Sequence, residues 1–135
     1  TRGRSVTESQ ILEQESVAHA RDELAAAEAL LAAGHPRVAL TRSYFAAFHA
    51  VRALLFRAGL QPQSHRGVHA LFHAHFVRTG TYDSATAAVL ARLQKYREEA
   101  DYSVGFGEDA AFVTTELASA RVLVDRLLAD LDASL

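Results

Sequence analysis

Arg42 and His49 are the first pair in this 135-residue chain equipped to act on a phosphodiester. Seven residues apart on a helix, they project about 20° from one another, two turns along one side. A histidine can take the proton of a ribose 2′-hydroxyl or protonate a leaving oxygen. An arginine can stabilise the charge that gathers on the phosphate meanwhile. The two together are the minimum for cleaving RNA without a metal. The same spacing equally suits two residues at the edge of a core, with Arg42 bonded to an acid from a terminal helix.

A second constellation lies later in the chain. Leu90, Leu93, Arg97 and Ala100 form one helical stripe, so Arg97 falls on an apolar face with Asp101 one turn beyond it. A charge on such a face must find a partner. Arg97 and Asp101 form a locking ion pair on one reading. On the other, Arg97 is an oriented cation in a cleft or dimer seam, with Tyr102 beside it as a hydrogen-bond donor. Between the two constellations stand Arg66 and four histidines: His65, His69, His73 and His75. One-turn spacing of His65, His69 and His73 is usable by a metal, but no carboxylate shares their helix and they drift about 40° per step. His75 shares the arc of Val68, Leu71, Phe72 and Phe76 and is expected in a core or an interface. Gly105-Phe106-Gly107 lacks both the preceding strand and the further glycine of a phosphate-binding loop. No metal or cofactor is expected.

Five helices must position these residues. Gly34-His35-Pro36 ends the first and starts the second, with Pro36 suited to a first helical turn. Gly59 to Gln63 ends the second, Ser64 caps the third, and Thr79-Gly80 stops it. Asp83 or Ser84 caps the fourth. Residues 103–107 precede the last helix, whose first turn carries Glu108 and Asp109. That last helix has one clean apolar face in Val113, Leu117, Ala120, Val124, Leu127 and Leu131. The first has a thinner, alanine-rich stripe of Val17, Ala20, Leu24, Ala27 and Leu31. The second is apolar over a wide arc, including Leu40, Tyr44, Phe48, Val51 and Leu55, and small opposite it, at Ser43, Ala46, Ala50 and Ala53. It is expected at the centre of an all-α, five-helix antiparallel bundle.

Composition agrees with one domain over residues 1–135, with 1–10 a flexible or frayed start. Half the residues are apolar, which disfavours disorder, and the absence of cysteine removes disulfides and thiolate chemistry. No apolar run is long enough for a membrane span, and the polar N-terminus lacks a secretory core, so a cytoplasmic setting is expected. The net charge of −2 hides a partition: residues 37–97 hold nine Lys/Arg against Asp83 alone, whereas the rest hold five against fifteen acids. Such a basic centre either meets a polyanion or is neutralised by the acidic terminal helices within the fold.

The run from Leu40 to Leu55, LTRSYFAAFHAVRALL, resembles the central helix of HEPN domains (higher eukaryotes and prokaryotes nucleotide-binding). Ser64-His65-Arg66-Gly67-Val68 and Arg97-Glu98-Glu99-Ala100-Asp101-Tyr102 follow in the family's order and spacing. The likeness extends from about Val17 to Leu131. It implies a dimerising helical bundle and, for many members, metal-independent ribonuclease activity in toxin–antitoxin or defence systems, with a small nucleotidyltransferase as partner. The family's active motif is an Arg followed four to six residues later by a His on a late helix. Arg97 matches the Arg, but Tyr102, Ser103 and Val104 stand where the His belongs. Either folding supplies a histidine, such as His65 or His69, or the chain is a non-catalytic module that binds a nucleotide or docks a nucleotidyltransferase. On the first reading Arg97 and Arg42 contact phosphate and His49 is the foremost acid or base. Asp101, Tyr102, His65, Arg66 and His69 then support binding.

Overall fold

A computed structural model describes residues 7–133. It contains α1 (Glu8–Ala32), α2 (Pro36–Arg57), α3 (His65–Phe72), a π-helical turn (His73–Val77), α4 (Ser84–Tyr102) and α5 (Ala110–Ala133), with no strand among the described residues.

Local chemistry sets the ends of these helices. Thr7 accepts the Gln10 N–H at 3.1 Å, while the Gln10 side chain accepts the Thr7 N–H at 2.8 Å, a reciprocal cap. Of the segment expected to fray, residues 7–10 form the capped start of α1, and residues 1–6 lie outside the described residues. Pro36 occupies the first turn of α2, where its missing N–H has no helical partner to lose. Ser64 and Asp83 cap α3 and α4 by accepting the N–H groups of Gly67 and Thr86. Asp109 accepts the Ala111 N–H at 2.9 Å, so the acids expected inside the first turn of α5 stand just before it. Gly34 and Gly59 follow α1 and α2 with φ of +88° and +81°, the left-handed ending that a side chain resists.

Helix α2 packs against α1, α3, α4 and α5, which makes it the centre of the bundle. Ser9 donates to the Phe56 carbonyl and Glu23 pairs with Arg42, so α1 and α2 run antiparallel. Arg37 at the start of α2 donates to the carbonyl of Ala100 near the end of α4, so these two also oppose. Helix α5 runs with α2: Gly107 lies against Leu40, and Arg57 donates to the Leu131 carbonyl at 3.1 Å. Leu40, Tyr44, Val51 and Leu55 are fully buried, and so are the small residues Ser43, Ala46, Ala50 and Ala53. Helix α1 brings Ser16, Ala20 and Ala27, all buried, toward them. Small side chains on both helices let the axes approach closely, and added volume there has nowhere to go. Ala50→Leu is expected to cost about 2 kcal/mol through overpacking, read as a lower urea midpoint with an unchanged m-value.

The acidic terminal helices neutralise much of the basic centre. Arg42 pairs with Glu23, Arg57 with Glu13, and Arg92 with Glu116, whose side chain is only 9% exposed. Arg52, Arg66, Arg78 and Lys95 have no carboxylate partner among the described residues. His75 is exposed, so it does not join the core as its arc suggested. The π-helical turn explains this: the Arg78 N–H bonds back to His73, five residues away. The widened turn shifts the phase, so His75 leaves the arc of Val68 and Phe72.

Candidate functional site

Tyr44 of α2 is where α3 and α4 bring their polar side chains together. Tyr44 is fully buried, and a buried phenol needs a hydrogen-bond partner. It has two within reach: its Oη lies 3.3 Å from His65 Nδ1 and 3.2 Å from His69 Nε2. His65 and His69 are one turn apart on α3 and straddle this single oxygen. His73 is exposed. No group of three His, Asp or Glu among the described residues is placed to hold a metal ion.

Proton counting constrains this trio. Burial pushes the Tyr44 hydroxyl up to about 12, with Arg97 opposing and Glu98 adding, so it stays protonated at neutral pH. Burial lowers the pKa of His65, helped by the positive charge of Arg97 and Arg52. His69 is lowered by burial and by His65. Both imidazoles are therefore mainly neutral near pH 7. Tyr44 has one proton to give, so one ring accepts it and the other donates its own N–H to the phenol oxygen. In one of the two arrangements His65 donates from Nδ1, which leaves its Nε2 lone pair free.

Arg97 lies over this network. Its guanidinium carbon stands 5.1 Å from the centre of the Tyr44 ring and 5.5 Å from that of Phe45. Packing on two aromatic faces is how a planar cation tolerates partial burial. Asp101 sits 3.5 Å from its Nη1, a long contact to a half-exposed carboxylate, and the buried Nε has no hydrogen-bond partner. Arg97 is thus in the apolar face that its stripe required, with Asp101 as its loose counter-ion. Tyr102, expected beside Arg97, is instead 88% exposed at the end of α4. Five residues beyond Arg97, it is turned about 140° away around the helix. Tyr44 is the tyrosine that meets Arg97. In the sequence Tyr44 belongs to the apolar arc of α2, and its hydroxyl is the signal that this arc must meet a polar partner.

Arg42 and His49 each take a separate partner from α1. Arg42 donates from Nη1 to both oxygens of Glu23, at 2.9 and 3.0 Å, and its guanidinium lies 5.1 Å over Phe45. His49 stacks on His19 at 5.0 Å, and its Nδ1 is buried without a partner. Burial, with His19, Arg52, His65 and Arg42 around it, brings His49 down to about 4. A neutral folded histidine that would protonate when unfolded makes stability fall with acidification. The loss begins near pH 6.5 and runs down toward pH 4. His65 and His69 contribute with the same sign. The Tm is therefore expected to drop between pH 7 and pH 5, before most carboxylates titrate, and His49→Gln should shallow that slope. A slope unchanged in the variant would count against the assignment. Arg66 is exposed on α3.

Next to the cluster lies a pocket of about 310 Å³ lined by Phe45, Phe48, His49, Arg52 and His65 together with the α2–α3 loop. A larger concavity of about 650 Å³ runs between α4 and α5, but Arg126 is the only charged residue lining it and it contains no imidazole. The imidazoles of His49 and His65 line the smaller one.

A family model described as HEPN domain matches residues 14–129. Among curated proteins, the chain is 32% identical over 110 residues to one of Methanocaldococcus jannaschii named "Putative toxin MJ0605", covering 80% of each chain. It is 39% identical over 69 residues to a UPF0332 protein of Pyrococcus horikoshii, covering 51% of this chain and 49% of that one, about half of each. A UPF0332 protein of Thermotoga maritima is 36% identical over 83 residues, 62% of this chain and 63% of that one. No helix among the described residues is long and apolar enough to cross a membrane.

Proposed function

The chain belongs to the HEPN domain family, and on that footing we propose that it is the toxin-like member of a toxin–antitoxin or defence pair and cleaves RNA without a metal. The observation that carries this reading is the seating of Arg97 on Tyr44 and Phe45, beside the neutral imidazoles of His65 and His69. In this reading α3 supplies the histidine that the sequence does not place behind the late-helix Arg.

In this mechanism His65 Nε2 takes the proton of a ribose 2′-hydroxyl. The freed oxygen attacks the adjacent phosphorus, and the bond to the 5′-oxygen of the next nucleotide breaks. The proton returned to that 5′-oxygen comes from the His65 imidazolium or from water. Products are a 2′,3′-cyclic phosphate and a 5′-hydroxyl. Arg97 offers Nη donors to the phosphate oxygens, displacing Asp101, where a low local dielectric strengthens the contact. Tyr44 and His69 position His65 and fix its tautomer. Arg42, neutralised by Glu23, shapes the rim through Phe45. His49, held near pKa 4, is a poor acid or base at neutral pH, so the role foreseen for it passes to His65.

The test is incubation of a 5′-labelled RNA with purified protein in EDTA. Expected products end in 2′,3′-cyclic phosphate, and binding weakens steeply with salt. RNA left intact at every protein concentration sinks the catalytic reading. The larger concavity favours a second reading, a non-catalytic homodimer that docks a nucleotidyltransferase. Thr86, Val89, Ala118 and the 68% exposed Val122 give α4 and α5 an apolar face suited to a protein partner. Intact RNA, together with a sedimentation shift on adding the nucleotidyltransferase, selects that reading.

A further inference from the structure

The pocket beside the cluster has a lining that proton transfer and phosphate binding do not use. Its walls are aromatic. His65 stacks on Phe48 at 4.2 Å with the rings 19° apart, and Phe45 meets His65 edge-on at 5.9 Å. Pro62 and Gln63 of the α2–α3 loop contribute to its rim. Arg52 also lines it, its guanidinium carbon 5.2 Å over the Phe56 ring. Arg42, Arg57, Arg92 and Arg97 each meet a carboxylate. Arg52 has none among the described residues, so its planar fork of donors is held by a ring face and left uncommitted.

We propose that this pocket is a nucleobase subsite in which Arg52 selects guanine. Phe48 backs one face of the exposed His65 ring, which leaves the other face of His65, with the half-buried Phe45, as ring surface for an unstacked base, the way single-stranded RNA is generally read. A volume of about 310 Å³ is at the small end of ligand pockets, suited to one base rather than to a helix or peptide. The choice among bases follows from Arg52. Guanine presents two adjacent acceptors, O6 and N7, which a guanidinium meets with two parallel N–H bonds. Adenine places an N–H₂ donor beside N7 and uracil sets an N–H between its two carbonyls. Cytosine does pair N3 with O2, but it has the smaller ring to stack, so guanine alone combines two adjacent acceptors with a purine's stacking surface. His65 links the two sites, since its ring lines the pocket while its Nδ1 faces Tyr44 beside Arg97. The subsite rests on the RNA reading above and sharpens it: the strand is positioned by a guanine next to the ribose that His65 meets.

The experiment measures fluorescence anisotropy of labelled hexauridylates carrying a central G, A, C or U, with wild-type protein, Arg52→Lys and Arg52→Ala. Circular dichroism checks that the folds are equal. A preference for G of about tenfold or more is expected, in the range of one bidentate base contact. Arg52→Lys keeps the charge but loses the fork, and should level the four oligonucleotides to within about threefold. Equal binding of all four by wild type, a preference for another base, or a G preference that survives in Arg52→Lys overturns the proposal. A second readout separates this proposal from the catalytic one. Guanosine 5′-monophosphate should shift the His49 and His65 imidazole NMR signals more than adenosine 5′-monophosphate does. That shift without RNA cleavage keeps the subsite and removes the catalytic reading. Cleavage without base preference or shift does the reverse.

Discussion

Arg97→Ala is expected to slow RNA cleavage by about 10²- to 10³-fold while leaving the helical circular dichroism spectrum intact, the usual cost of losing one pre-placed donor to a developing anion. The fold should survive because the arginine side chain is still 22% exposed and its ion pair with Asp101 is a single 3.5 Å contact on its own helix. Its removal gives up stacking on Tyr44 and Phe45, worth about 1 kcal/mol at a partly exposed site. Arg97→Lys should recover little. A lysine restores the charge, but its compact ammonium cannot spread over two rings or present two donors to one phosphate. Cleavage by Arg97→Ala at more than a third of the wild-type rate would falsify the role. Full rescue by lysine would reduce that role to bulk charge.

His65→Gln should slow cleavage by about 10²-fold or more, as expected for a positioned proton-transfer group. His69→Gln and Tyr44→Phe should cost less, since they act through His65. Their distinguishing mark is the pH profile. In the wild type, His65 must be neutral to accept a proton, and burial with Arg97 and Arg52 holds its pKa below the usual 6.5. The rate should therefore rise as pH increases through that lowered pKa and level off at neutral pH. Tyr44→Phe removes the oxygen that fixes the His65 tautomer and should displace the rising limb, whereas a merely structural loss would scale the whole curve down. A rate that falls between pH 5 and pH 7 rules out His65 as the base.

Much of the frame was legible in the sequence because it depends on local periodicity. The apolar face of α5 can be read from the spacing of Val113 through Leu131, and α2 announces its central place by being apolar or small on most sides. Ser64 and Asp83 cap the helices as their side chains dictate. The position of Arg97 in a buried stripe follows from the same 3.6-residue count. His75 is the instructive exception. One π-helical hydrogen bond, from Arg78 to His73, breaks the periodicity and moves that histidine out to solvent.

The residues with chemical potential were thus determined by the sequence, as was the helix that carries each one. Which of them meet was decided by tertiary packing alone. Arg42 and His49 share a helix face, yet packing of α1 gives Glu23 to one and His19 to the other. Arg97 and His65 lie 32 residues apart on different helices, and their meeting at Tyr44 depends on α3 and α4 both packing against α2 near one buried phenol. No spacing along the chain encodes a distance across three helices. Helical periodicity fixes the direction of a side chain about its own axis, whereas the partner it faces is set by how the axes pack.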